Sequence, residues 1–158
     1  MDPRHERLAA NIVSHSTNLQ AGEKVLIHAF DVPQEMTLAL VRATRERGAI
    51  PYVQLQNARI DREWLLGGPD EQFDAALSWE MDRMKAMDAY IALRGSTNVF
   101  EASDLPQDDV KRAMRILKPV LDWRVKKTKW CVLRWPTPSM AQQARMSTEA
   151  FEAFYFDA

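Results

Sequence analysis

The sequence predicts an α/β fold: a three-layer, Rossmann-like domain with helices on both faces of a mainly parallel sheet of about four strands. Four short apolar runs, most of them rich in β-branched or aromatic residues, alternate with amphipathic stretches. Several runs are almost continuously apolar, which is typical of parallel strands covered on both faces. The 158 residues are 46% hydrophobic and 27% charged, which suits one folded domain over residues 1–158.

The first half of the chain alternates helix and strand. Apolar residues at helical spacing within Leu8–Leu19 predict a first helix. The apolar run Val25–Phe30 predicts the first strand. The spacing within Met36–Ala43 predicts a second helix that ends near Gly48, and Ile50–Leu55 is the second predicted strand.

Two further helices precede the third strand. Arg59–Leu66 predicts a short helix that ends at Gly67 and Gly68. Phe73–Met84 has helical spacing, and Ala89–Leu93 predicts the third strand. Right-handed crossovers between such strands produce a parallel sheet between helical layers.

The last third begins with a helix over Val110–Leu121. Pro119 lies inside it, so we expect a kink or a break there. Trp130–Leu133 predicts the fourth strand, and two helical segments follow within Ser139–Ser147 and Thr148–Ala158.

Composition excludes several function classes. The net charge of −1 gives no overall field for nucleic acid or an anionic membrane, and no apolar run is long enough to span a bilayer. Basic residues alternate with tryptophans around the fourth strand, but lysines in a last helical turn stabilise its negative end. We therefore expect no nucleic-acid and no membrane partner. The charged start and the single cysteine, Cys131, favour a cytoplasmic location.

Catalytic and metal-binding patterns are missing from the sequence. The three histidines are far apart in the predicted elements, and there is no His-Glu-x-x-His motif. We interpret His5 and His15 as surface residues and His28 as a structural residue of the first strand. We therefore expect no catalytic residue, no metal ligand and no cofactor-binding residue in this chain.

One polar loop is a candidate for facing a ligand. Asp31 follows the first strand, and the third strand is followed by four polar residues: Arg94, Ser96, Thr97 and Asn98. Ligands of parallel α/β sheets bind at this carboxyl edge. Asp31 could equally cap a helix. The loop supports an alternative function, a stand-alone Rossmann-like module that binds a small ligand near Asp31, Asn57 and Arg94–Asn98.

The C-terminal part carries a recognisable order of motifs. The strand Trp130–Leu133 is followed by Trp135-Pro-Thr-Pro138, Ser139-Met-Ala-Gln-Gln-Ala144 and a Met-Ser-Thr-Glu-x-Phe-Glu-x-Phe-Tyr-Phe run that ends at Phe156. This order resembles the thermophilic-type metallo-aminopeptidases, the family of aminopeptidases S and T. Gly22–Ile27 and Glu46–Ile50 are weaker points of similarity.

The resemblance implies the N-terminal domain of a longer, two-domain metal-dependent aminopeptidase that releases N-terminal amino acids from peptides. Members of that family hold two divalent ions, of zinc or cobalt type, in a C-terminal domain. None of the residues present here matches those ligand motifs. The resemblance therefore implies an inactive fragment with a structural, substrate-access or dimerisation role. Its partners would be its own catalytic domain, peptide substrates and, at full length, a second copy.

The final helix has an apolar face and no capping signal. Phe151, Phe154, Tyr155 and Ala158 share that face, and no glycine, asparagine or basic last turn follows. We expect the natural polypeptide to continue past Ala158. A surface of apolar residues then becomes a candidate interface to the following domain: Met140, Met146, Phe151 and Phe154.

Overall fold

The computed structural model describes residues 2–157. Its strands are β1 (Lys24–Phe30), β2 (Ile50–Gln56), β3 (Ala89–Arg94) and β4 (Lys129–Arg134). Its helices are α1 (Pro3–Asn11), α2 (Gln34–Glu46), α3 (Ala58–Leu65), α4 (Asp70–Lys85), α5 (Gln107–Lys127), α6 (Pro138–Gln143) and α7 (Thr148–Asp157). A π-helical segment, Ile12–Ser16, continues α1.

The four strands form one parallel sheet in the order β2-β1-β3-β4. The predicted fold class, a three-layer α/β domain with a parallel sheet, is confirmed. The chain adds β2 on one side of β1 and then crosses to the other side for β3 and β4. Right-handed crossovers require the connecting helices to change face at that reversal. The helix α2 accordingly packs on one face of the sheet, and α4 and α5 pack on the other.

The larger core lies between the sheet and the helices α1 and α2. Alternate strand residues such as Val25, Ile27 and Ile91 point to this face and are fully buried. They meet Met36 and Leu40 of α2, both with no exposed surface. This packing is what the apolar faces of the predicted helices require.

The second core lies on the opposite face. Leu26, Tyr90 and Ala92 point there and pack against Met84 of α4 and Val120 of α5. The two faces together explain why β1 and β3, the central strands, are almost continuously apolar.

The first helix ends earlier than predicted. Leu19 was expected on its apolar face, but the π-helical segment and Thr17 end the helix before it. The backbone N–H of Thr17 donates to the carbonyl of Ile12 at 2.9 Å, and its hydroxyl donates to the same oxygen. Asn18 then takes a left-handed φ of 43°, and Leu19 reaches the core from a loop with no exposed surface.

Pro119 does not break α5, so the expectation of a break there was wrong. The helix continues over 21 residues. Pro119 lies on an exposed side of the helix, whereas Ala113 and Val120 are buried against the domain. Burial of that face outweighs the missing N–H of the proline.

The helix α7 packs back onto α1. The ring of Phe156 lies 6.0 Å from Trp135, and Arg4 of α1 sits 4.6 Å from the centroid of the same phenylalanine. Phe154, of the predicted apolar face, is 62% exposed, whereas Phe151 and Tyr155 of that face are half-buried. Ala158, the last residue of that predicted face, lies outside the described residues. His5, expected at the surface, is half-buried with its ring 5.1 Å from Trp135.

Within residues 2–157, no helix combines the length and apolarity needed to cross a bilayer.

Candidate functional site

The carboxyl ends of β1 and β3 lie side by side at the point where the strand order reverses. The segments that follow β1 and β3 leave this edge in close contact, and the N–H of Gly95 donates to the carbonyl of Phe30 at 2.7 Å. A Cβ atom at position 95 would lie 2.2 Å from the carbonyl oxygen of Asp31. Glycine is therefore required at position 95, because the two backbones could not otherwise approach.

Asp31 holds the start of α3. Its Oδ2 accepts from the backbone N–H of Ala58 at 3.0 Å, and its Oδ1 accepts from the side-chain amide of Asn57 at 2.7 Å. Its φ of 46° is left-handed, a conformation that aspartate tolerates better than most residues. Both carboxylate oxygens are thus engaged in positioning a helix N-terminus, where a negative charge is favourable.

The other four residues of the predicted ligand-facing loop diverge. Arg94 extends over the ring of Phe30, with its guanidinium carbon 5.0 Å from the centroid. The carbonyl of Ser96 accepts from the hydroxyl of Ser139 at 2.5 Å. Thr97 is exposed. Asn98 begins a turn, because its Oδ1 accepts from the N–H of Phe100 at 3.0 Å.

A cavity of about 580 Å³ opens on the α4–α5 face of the sheet, next to this edge. Ligand pockets commonly have volumes of about 300–1,000 Å³. Its polar wall is formed by eight residues: His28, Gln54, Gln56, Asn57, Asp61, Glu80, Arg94 and Arg124. Its apolar wall comes from the helices and includes Ile60, Trp64, Ala76, Leu117, Val120 and Leu121.

A chain of four side chains runs along the polar wall. The Nδ1 of His28 lies 3.0 Å from the hydroxyl of Tyr90, and its Nε2 lies 2.5 Å from Oε1 of Gln56. The amide nitrogen of Gln56 donates to Oδ2 of Asp61 at 2.7 Å. While Asp61 is ionised it can only accept, so the oxygen of Gln56 must face His28. The Nε2 of His28 therefore donates, and Nδ1 of the neutral ring accepts from Tyr90.

Burial sets the protonation states of this chain. Burial lowers the pKa of His28 from 6.5 to about 4, although the hydrogen bond to Gln56 opposes the change. Three cations act in the same direction as burial: Arg124, Arg83 and Arg94. Burial also raises the pKa of Asp61, and Gln56 again opposes it. His28 is consequently neutral at physiological pH and fixed in one tautomer.

Cations outnumber their ion-pair partners on this wall. Glu80 forms an ion pair with Arg83. Within residues 2–157, Arg94 and Arg124 have no carboxylate oxygen within 4.0 Å. The guanidinium carbon of Arg124 lies 3.7 Å from the ring centroid of Tyr90, and its Nε is buried without a hydrogen-bond partner. Burial, with the charges of Arg94 and Arg83 acting in the same direction, lowers the pKa of Arg124.

Sequence reasoning did not identify this cavity, although part of the signal was present. His28 pairs in register with Gln54, and Phe30 pairs with Gln56, so these side chains share one face of the sheet. Polar residues at alternate positions of two neighbouring strands predict such a polar face. Arg124 comes from a helix almost 100 residues further on, and no spacing in the sequence connects it to His28.

The family model for thermophilic metalloprotease (M29) matches residues 1–158, the whole chain. The chain belongs to this family. The predicted family resemblance is therefore confirmed.

Among solved structures, this M29 member is similar to wild-type AmpT from Thermus thermophilus, with a TM-score of 0.74 and 21% sequence identity. The likeness covers 98% of this chain and 42% of the AmpT chain, so the M29 chain described here spans less than half of that length. At this identity the likeness shows the shared fold.

A weaker likeness is to a putative LacI-family transcription repressor from Corynebacterium glutamicum, with a TM-score of 0.37 and 10% identity over 83% of this chain and 60% of the other. A TM-score of 0.37 is too low to support a conclusion about fold or function. No curated protein sequence matches the M29 chain at a significant level.

The described residues of this M29 chain do not fit a two-metal centre. Within residues 2–157, no three side chains of His, Cys, Asp or Glu are grouped closely enough to hold a metal ion. Both ring nitrogens of His28 already have partners, and both oxygens of Asp31 hold α3. Metal-bound water is one route by which metallopeptidases cleave peptides, and these residues offer no place for it.

Proposed function

We propose that this chain is the N-terminal α/β domain of a metal-dependent aminopeptidase that releases N-terminal amino acids from peptides. The observation that carries the proposal is the match of the thermophilic metalloprotease model to all 158 residues. The order of motifs from Trp130 to Phe156 resembles that of the aminopeptidases S and T. This resemblance favours aminopeptidase activity over other peptidase activities.

The metal centre, in this proposal, belongs to a C-terminal domain that follows this one in the natural polypeptide. Two divalent ions of zinc or cobalt type would be bound there. Two findings support this placement: the described residues hold no metal-binding group, and AmpT is more than twice as long as the stretch that this chain matches. The 158 residues then form one domain with a structural and substrate-access role.

The apolar surface on α6 and α7 is a proposed contact with the catalytic domain or with a second copy in a homodimer. Phe154 is 62% exposed and Met146 is 37% exposed, whereas Met140 and Phe151 are half-buried. Exposed apolar side chains of this size favour burial by another surface. A cytoplasmic location completes the proposal and is consistent with the single cysteine.

The test compares two polypeptides. The 158-residue chain and a version extended through the following domain are each assayed with zinc or cobalt and an aminoacyl p-nitroanilide. We expect turnover only from the longer protein, and we expect EDTA to abolish it and added metal to restore it. Turnover by the 158-residue chain that survives repurification contradicts the placement of the metal centre. A metal-loaded longer protein that cleaves no peptide contradicts the proposed activity.

The cavity beside β1 and β3 favours one alternative, a small-ligand-binding module. Its volume of about 580 Å³ and its mixed polar and apolar walls are those of a ligand pocket. Thermal-shift screening of the 158-residue chain against nucleotides and amino acids tests this alternative.

A further inference from the structure

We propose that the cavity between the sheet and helices α3, α4 and α5 binds a small carboxylate that carries an apolar group, with Arg94 and Arg124 holding the carboxylate. The proposal concerns this domain alone and does not depend on peptidase activity.

The first argument is that two arginines of the cavity have no ion-pair partner among the described residues. Both guanidinium groups line it and neither has an acidic partner within residues 2–157. The charge of Glu80 acts on Arg124, but its carboxylate is already paired with Arg83. Arg124 is partly desolvated and Arg94 is exposed, and because their charges repel each other, an anion placed between them stabilises both.

The second argument is that the two arginines converge on one residue. The guanidinium carbon of Arg124 lies 3.7 Å from the ring centroid of Tyr90, and the charge of Arg94 opposes the rise that burial causes in the pKa of the same tyrosine. Tyr90 has no exposed surface and holds the guanidinium group of Arg124 at the wall of the cavity, whereas the guanidinium group of Arg94 lies over the ring of Phe30. Groups held by buried neighbours lose little conformational entropy when a ligand binds.

The third argument is the orientation of the neighbouring hydrogen bonds. The hydroxyl of Tyr90 donates its hydrogen bond to Nδ1 of His28, because Nε2 of that ring donates to Gln56. The oxygen of Tyr90 is then left only as an acceptor, so it does not compete with the arginines as a donor to the ligand. The neutral imidazole adds no third cation.

The remaining walls select the kind of anion. One side is apolar, with Ile60, Trp64 and Leu121 exposed to the cavity. Asp61 and Glu80 also line it, and they disfavour a doubly charged ligand such as phosphate. A single planar carboxylate matches the fork of a guanidinium group, and its apolar substituent matches the helical wall.

The test is isothermal titration calorimetry of the 158-residue chain with N-acetyl-L-leucine and with N-acetyl-L-leucinamide. The two compounds have nearly the same shape, and only the first carries a carboxylate. We expect measurable binding of the acid, and binding of the amide that is weaker by about tenfold or more, because a charge-assisted hydrogen bond is lost. Inorganic phosphate is titrated as a third ligand and should bind more weakly than the acid.

Variants locate the site. Arg124→Gln and Arg94→Gln should each weaken binding of the acid by about tenfold or more. Arg115→Gln is the matched control, since Arg115 is an exposed arginine of the same helix α5 and does not line the cavity. It should bind as the parent chain does. Thermal melts show whether each variant is folded. If Arg124→Gln is unfolded, the binding of the acid to Arg94→Gln tests the site.

Four results would overturn the proposal. They are no binding of the acid, equal binding of acid and amide, tighter binding of phosphate than of the acid, and acid binding that survives the loss of either cavity arginine in a folded variant.

Discussion

His28 should make the stability of the domain depend on pH in a defined window. Its pKa is lowered by burial from 6.5 to about 4. As the pH falls below 6.5, the unfolded chain takes up the proton first, so the folded state loses stability until the pH reaches about 4. A tenfold change in proton affinity is worth about 1.4 kcal/mol, so the complete loss is about 3 kcal/mol.

The measurement is urea unfolding of the parent chain and of His28→Gln between pH 7 and pH 4. The variant lacks the titrating ring, so its free energy of unfolding should fall by about 3 kcal/mol less across this window. Three carboxyls with lowered pKa, Asp2, Asp104 and Asp122, lose their contribution mainly below about 3.8, outside the window. The raised pKa of Asp61 acts with the opposite sign, adding stability on acidification in both proteins.

A direct readout is the NMR titration of the imidazole of His28. We expect the neutral ring, with its proton on Nε2, to persist until the pH approaches 4. A midpoint near 6.5, or the same pH dependence of stability in His28→Gln as in the parent, would refute the reasoning from burial and from the Tyr90 and Gln56 contacts.

Three other substitutions test local features by urea unfolding. Asp31→Ala removes the carboxylate that accepts from Asn57 and Ala58 at the start of α3 and should cost about 1–2 kcal/mol; Asp31→Asn should recover part of this, and equal losses would contradict the capping role. Pro119→Ala restores a backbone donor inside α5 and should stabilise the fold by about 1–2 kcal/mol, so an unchanged midpoint would show that the proline has no cost there. Gly95→Ala forces a Cβ to within 2.2 Å of a backbone oxygen and should cost at least about 2 kcal/mol, whereas the neighbouring Ser96→Ala should change stability by less than about 0.5 kcal/mol.

The strands illustrate what patterning can predict. The apolar runs at Val25–Phe30 and Ala89–Leu93 are central strands in the structure, within one residue of their predicted bounds. Such runs are readable because a strand buried on both faces needs apolar residues at every position. The helix ends were less accurate, since Leu19 is as apolar as a helical core residue yet reaches the core from a loop.

The candidate site was only partly predictable. The loop at Asp31 and Arg94 follows from the rule that ligands bind at the carboxyl edge of a parallel sheet. The role of Asp31 as a cap for α3 depends on a helix 27 residues away. The cavity arginine from α5 depends on how that helix crosses the sheet, and its neighbours in the sequence give no indication that it meets Tyr90.

The sequence by itself determined the alternation of strands and helices, the parallel character of the sheet and the family. The first two follow from local hydrophobic periodicity, and the family follows from contiguous motifs. The tertiary structure alone decided which polar groups share a wall. Asp61, Gln56, His28, Tyr90 and Arg124 come from five different elements, α3, β2, β1, β3 and α5, and only the packing of α4 and α5 on the sheet takes them out of water together. Burial then shifts the pKa values of His28, Asp61 and Arg124, and burial is a property of the packed chain rather than of any segment of it.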